Sequence, residues 1–222
     1  MPELAKVVSN SDFDEWFSLN DTIMGGSSEA VCKVSSKGLS LEGFIVEEKG
    51  GFVSCKSPMF KPALNLSNYE GFQLKIDGKG RTLKFGISCK YGILGLQEFF
   101  LDKSPGGLRW VAEIDTKKFG TTNVRIPFKN LEPTVLAKKI SSPIKFKSDS
   151  ISQFQLLHSK FGRPGELNPG FKPGKINFLL KSISVYWWYT YLKKNRWFYS
   201  LKTDYPECKN PQSMDSRQFG NL

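Results

Sequence analysis

Short apolar segments punctuated by turn formers run through most of this chain, and they limit its fold more than any other feature. In Phe72/Leu74/Ile76 and Leu83/Phe85/Ile87 every second residue is apolar. An extended strand sends successive side chains to opposite faces, so period two means one packed face and one solvated face, as in an antiparallel sheet. Residues 38–43, 51–55, 123–127, 151–156 and 176–185 are segments of the same kind, with Ile151 and Phe154 out of strict alternation. Between segments stand Gly78-Lys79-Gly80, Ser104-Pro105-Gly106-Gly107 and Asn168-Pro169-Gly170, all turn formers. Helical periodicity is nearly absent before residue 185. The expected fold is all-β: an antiparallel β-sandwich or jelly roll.

A single domain is expected over residues 7–185. Two proline-bearing stretches, 130–150 and 159–175, the second with three Pro-Gly pairs, are expected as long loops, because proline cannot sit in a central strand. At 222 residues, with 39% hydrophobic and 14% aromatic side chains, the chain can fill a core, which excludes disorder throughout. No apolar run approaches the roughly 20 residues of a membrane-spanning helix.

The net charge of +11 is unevenly placed. Residues 1–111 carry 13 basic and 13 acidic side chains, whereas residues 112–222 carry 19 and 8. Such asymmetry points to an anionic partner: a membrane surface, nucleic acid or an acidic protein. With 26 Lys against 6 Arg, it reads as diffuse charge rather than a precise anion pocket.

The inventory of catalytic groups is thin. His158 is the lone histidine, and on a strand it reads as structural, since general-base work needs an orienting partner. No nucleophile elbow, phosphate loop or metalloprotease motif is present. Cys32, Cys55, Cys89 and Cys208 stand far apart without a CxxC pair. That spacing argues against zinc and predicts buried, reduced thiols in a cytosolic protein. No catalytic residue, metal or cofactor is expected. The N-terminus lacks a basic region followed by an apolar stretch, so no secretory signal is expected.

After Val185 the composition changes. Residues 186–222 form an aromatic-basic tail, with a polar end from Thr203 expected to be disordered. Placed on a short helix, Trp188, Tyr191, Leu192, Phe198 and Tyr199 share one face, while Lys193, Lys194 and Arg196 lie largely elsewhere. Trp187, Trp188, Tyr191, Lys193, Lys194, Arg196, Trp197 and Phe198 are therefore candidates for contact with a membrane interface or a protein partner.

The most distinctive segment is Trp16 followed by Asn20-Asp21-Thr22-Ile23-Met24-Gly25-Gly26-Ser27-Ser28. Physically it is an aromatic anchor and a tight loop, whose glycines permit close approach to a ligand or another chain. A structural loop locked by a buried Trp16 accounts for it equally well. The segment resembles the hallmark of the thirty-kilodalton complex I intermediate-associated protein family, with Thr22-Ile23 varying the pattern. The resemblance continues through Gly50-Gly51-Phe52, Leu66-Ser67-Asn68-Tyr69-Glu70-Gly71, Asp77-Gly78-Lys79-Gly80 and Ile126-Pro127-Phe128 to Ile183, spanning roughly residues 10–185.

The resemblance implies a galactose-binding-like jelly roll and a non-catalytic assembly factor or chaperone for a membrane protein complex, either respiratory complex I or a photosynthetic one. Trp16, Asn20, Asp21, Met24, Gly25, Gly26, Ser28, Gly50, Gly51 and Phe52 become the candidate binding residues. The expected partners are subunits of a complex under assembly and an anionic membrane surface. The expected location is cytoplasmic, or the stromal or matrix side, peripheral at a membrane. A carbohydrate-binding or an RNA-binding module is the alternative, although no RNA motif is present.

Overall fold

The computed structural model describes residues 4–91, 107–135, 138–141, 144–162 and 166–187. Among them run thirteen strands: β1 (Leu4–Ser9), β2 (Phe17–Asn20), β3 (Glu29–Ser35), β4 (Gly38–Ile45), β5 (Phe52–Lys56), β6 (Gly71–Asp77), β7 (Thr82–Cys89), β8 (Arg109–Asp115), β9 (Thr122–Pro127), β10 (Glu132–Val135), β11 (Lys138–Lys139), β12 (Ile151–Ser159) and β13 (Gly174–Tyr186). One sheet has the order β3-β4-β13-β6-β9, with β1 also on β13; the other is β11-β10-β8-β7-β12-β5-β2. Every described strand pairing is antiparallel. The expected antiparallel sandwich is the fold found.

The alternating residues meet between the two sheets. Phe72, Leu74 and Ile76 from one sheet, and Leu83, Phe85, Ile87 and Phe154 from the other, have no exposed surface. Phe72, Phe85 and Phe154 pack with ring centroids 5.3–5.5 Å apart, offset or edge-on as aromatic quadrupoles prefer. The irregular spacing of Ile151 and Phe154 has a cause: the β12–β7 register shifts between Ile151 and Gln153. A bulge inserts one residue and restores the inward phase. The same device in β13, between Leu180 and Ser182, keeps both Leu180 and Ile183 in the core.

Two expectations are corrected. Residues 130–150 are not one long loop, because β10 and β11 lie there; Pro133 is tolerated since β10 has only the two-residue β11 on its outer side. Cys32 and Cys55 are not free thiols. They form a disulfide between β3 of one sheet and β5 of the other, with Cα atoms 6.0 Å apart. Their sequence separation carried no sign of proximity, which arises only when the sheets stack. The pairing withdraws the thiol-based argument for a reducing compartment. Cys89 does remain a buried thiol, its pKa pushed up to about 11 by burial.

The described residues all belong to one compact unit. Of the tail candidates, only Trp187 is among the described residues, with its ring centroid 4.8 Å from that of Tyr69. Trp188, Tyr191, Lys193, Lys194, Arg196, Trp197 and Phe198, the tail helix and the polar end fall outside them.

Candidate functional site

Two regions concentrate chemistry, and only the first was visible in the sequence. It begins where β2 ends. Residues Asp21–Met24 make a 3-10 turn closed by Gly25 in the left-handed region at φ 84°. The turn drives the Asp21 side chain inward, where it has no exposed surface. Its carboxylate accepts from the Ser28 backbone N–H at 2.8 Å and the Ser28 hydroxyl at 2.6 Å. From the end of the β4–β5 loop it accepts the Gly51 N–H at 2.6 Å, and from the first residue of β5 the Phe52 N–H at 3.3 Å. Burial pushes this carboxyl upward, and the bonds from Ser28, Gly51 and Phe52 outweigh it, so its pKa lies below the ordinary value. The glycines are explained by the same group: a Cβ at Gly26 or Gly50 would fall on the Asp21 carboxylate.

The arrangement is a clamp holding two loops together around one negative charge. Ser28 extends it by accepting from the Val46 N–H at 2.9 Å. Asn20 braces it from outside, donating to the Ala30 carbonyl at 3.0 Å. Trp16 is buried and packs edge-on against Phe13 at 5.5 Å, so it anchors the loop from within. At the tip, Ile23 and Met24 remain 65% and 62% exposed.

The second region is the outward face of the seven-stranded sheet. Register places Gly86 of β7 between Val111 of β8 and Gln155 of β12, and Gln155 beside Lys56 of β5. Because Gly86 carries no side chain, the middle of the face is hollow. A cleft of about 310 Å³ opens there, lined by Lys84, Arg109, Glu113 and Gln155 of this sheet and by residues 124–127 of β9 in the other sheet. Arg109 reaches across and donates through Nη1 to Gln155 Oε1. Gln155 in turn donates to the Ser54 hydroxyl at 2.9 Å. Lys84, only 6% exposed, donates to the Gly162 carbonyl at 2.7 Å. Burial, and then the charge of Arg109, lowers the pKa of Lys56. Lys84 is lowered by burial first, partly offset by Glu113.

Comparison with known proteins decides what this architecture is. The model of the complex I intermediate-associated protein 30 family matches residues 5–179. The chain belongs to that family. No curated protein matches it. Among solved structures, it is similar to a family 11 carbohydrate-binding module of a cellulosomal cellulase of Clostridium thermocellum, at 15% identity over 85% of this chain and 95% of that one, with a TM-score of 0.56. The module from Clostridium thermocellum in complex with a β-1,3-1,4-mixed-linked tetrasaccharide gives 14% identity, 84% and 98% coverage and a TM-score of 0.57. At these identities the likeness concerns the galactose-binding-like fold alone.

In this member of the complex I intermediate-associated protein 30 family, the hallmark residues divide by location. Asp21, Gly26, Ser28, Gly50, Gly51 and Phe52 come together in the clamp. Met24 stands outside it and Trp16 beneath it. His158 lies in the core with no exposed surface. Its Nδ1 meets the Thr82 carbonyl at 3.0 Å and its Nε2 meets Arg81 Nη1 at 3.2 Å. Since arginine can only donate, Nε2 accepts and Nδ1 carries the proton. Burial above all, with the Arg81 charge, lowers the histidine's pKa to about 4 against the Thr82 bond. The cleft residues Lys84, Gly86, Arg109 and Gln155, and Lys56 beside Gln155 on the neighbouring strand, were missed. The one available signal was Gly86, a glycine inside an otherwise unbroken strand pattern.

Proposed function

We propose that this chain is a non-catalytic assembly factor for a membrane protein complex, respiratory complex I-like or photosynthetic, that docks a client subunit through the loop end of its sandwich. Membership of the complex I intermediate-associated protein 30 family supports the assembly role. The observation that carries the docking site is the exposure of Ile23 and Met24 at the tip of a loop fixed by the Asp21 clamp. A rigid loop loses little entropy on binding, and methionine adapts to irregular apolar partners. Phe161 and Leu167 add apolar surface at 46% and 69% exposure. Their loop is tied to the clamp, because the Lys160 N–H donates to the Gly51 carbonyl at 2.8 Å.

The basic surplus of residues 112–222 supports peripheral attachment to an anionic membrane, each Lys or Arg near such a surface being worth about 1 kcal/mol. Affinity purification from native membranes tests the docking, using wild type and Ile23→Asp/Met24→Asp. Wild type brings down subunits of a membrane complex, and the variant, still folded, loses them. Retention of those subunits by the folded variant overturns the docking site. Their absence from the wild-type sample overturns the assembly role. The carbohydrate-binding alternative is compatible with the fold neighbours and is addressed by the neutral-sugar control below.

A further inference from the structure

Buried or half-buried cations normally find anions, because removing a charge from water costs several kcal/mol unless it is paired. The cleft on the seven-stranded sheet departs from this rule. Arg109 Nε is buried with no hydrogen-bond partner. Among the described residues Lys56 makes no hydrogen bond or ion pair, although it is partly buried beside Gln155. The two rim carboxylates are already engaged. Glu113 faces Lys84 at 4.0 Å, and Glu132 faces Lys139 at 2.8 Å. Positive charge is therefore left over at a concave place, next to the amide of Gln155 and the hydroxyl of Thr134.

From this geometry we infer that the cleft binds a small, polyhydroxylated oxyanion, a sugar acid or sugar phosphate, with its anionic group on Arg109 at the side where Lys56 stands next to Gln155. Arginine presents a planar fork that matches carboxylate and phosphate oxygens, and here one of its N–H groups points at no protein acceptor. Gln155 Oε1, which accepts from Arg109, and Thr134 Oγ1, which donates to the Arg109 carbonyl, each keep a lone pair for a ligand hydroxyl group. A volume of about 310 Å³ lies at the small end of small-molecule sites. Among the described residues no aromatic ring lines the cleft, so they offer no stacking platform of the kind a neutral sugar favours, whereas they do offer the charge. Burial first, and the Arg109 charge behind it, lowers the pKa of Lys56 and, against Glu113, that of Lys84. The inference does not depend on the client-docking site, which lies on the loops.

The test uses the full chain and calorimetric or NMR titration with glucuronate, glucose 6-phosphate and, as the neutral control, glucose. Binding of at least one acidic probe is expected, with amide shifts centred on residues 84–86, 109–113 and 153–157 and none from glucose. Lys56→Met removes a side chain that holds nothing in the fold, and Arg109→Met removes the fork. Each weakens the acidic probe about tenfold, as loss of a charge-assisted contact does. Gly86→Val fills the hollow and abolishes binding while the protein stays folded. Failure of both acidic probes overturns the inference, as does equal binding of glucose. Wild-type affinity in folded Lys56→Met and Arg109→Met, or shifts confined to other surface lysines, overturns it too.

Discussion

The clamp and the cleft bury charge of opposite sign, and they do so in opposite ways. Around Asp21 four donors converge on one carboxylate, and the loops are folded to supply them. Around Arg109 and Lys56 the protein gathers like charges and leaves donors unused. A buried charge that is fully satisfied stabilises its surroundings, whereas one left incomplete marks a place where stability has been given up for binding. The difference supports reading the buried clamp as architecture beneath the exposed loop tip, and the cleft as the place for the ligand proposed above. It also explains why the loop motif holds so many glycines: they make room for the carboxylate.

The largest expected effect comes from breaking the clamp. Asp21→Ala leaves the Ser28, Gly51 and Phe52 donors without an acceptor in a closed site, and equilibrium unfolding should show a loss of about 3–5 kcal/mol. Acid titration separates this charge from His158. Because the folded-state pKa of His158 is lowered to about 4, the unfolded chain binds its proton first, at about 6.5. Stability is then lost as the pH falls between those values, by about 3 kcal/mol in all. His158→Phe should flatten that window. The Asp21 contribution, resting on a lowered carboxyl pKa, should persist there and disappear only at lower pH, below the ordinary carboxylate range. A single transition unaffected by His158→Phe would remove the distinction.

Two glycines sharpen the same comparison. Gly26→Ala forces a methyl group onto the Asp21 carboxylate and should cost about 1–3 kcal/mol in denaturant unfolding. At Gly86 an added Cβ meets nothing nearer than the Gln155 Cβ at 3.7 Å. Gly86→Ala should therefore stabilise the fold slightly, by about 0.5 kcal/mol, through a less flexible unfolded chain. Equal destabilisation by both alanines would mean that the cleft is as tightly built as the clamp.

How much of this could be read from the sequence depends on how far apart the cooperating residues stand. Phe72/Leu74/Ile76 and Leu83/Phe85/Ile87 announced their strands, because a buried face writes its period locally. The clamp loop was legible as a motif, since Asn20, Asp21, Gly25, Gly26 and Ser28 lie within one stretch. Its chemistry was not: Asp21 meets Gly51 only when β2 and β5 pair. The cleft was illegible for a stronger reason. Lys56, Lys84, Arg109 and Gln155 each occupy the outward position of a different strand, where a charged side chain looks like an ordinary solvated one. Only the strand order β8-β7-β12-β5 makes them neighbours. The Cys32–Cys55 bridge was hidden in the same way, by the stacking of two sheets.

The division between the two regions is tested most directly by denaturant unfolding of the double variant Lys56→Met/Arg109→Met alongside Asp21→Ala. Removing the cleft's surplus cations relieves their repulsion but leaves Gln155 Oε1 without the Arg109 bond, so stability should stay within about 1 kcal/mol of wild type, while Asp21→Ala loses several kcal/mol. A double variant destabilised as much as Asp21→Ala would show that the cleft charges hold the fold together, and would contradict the account.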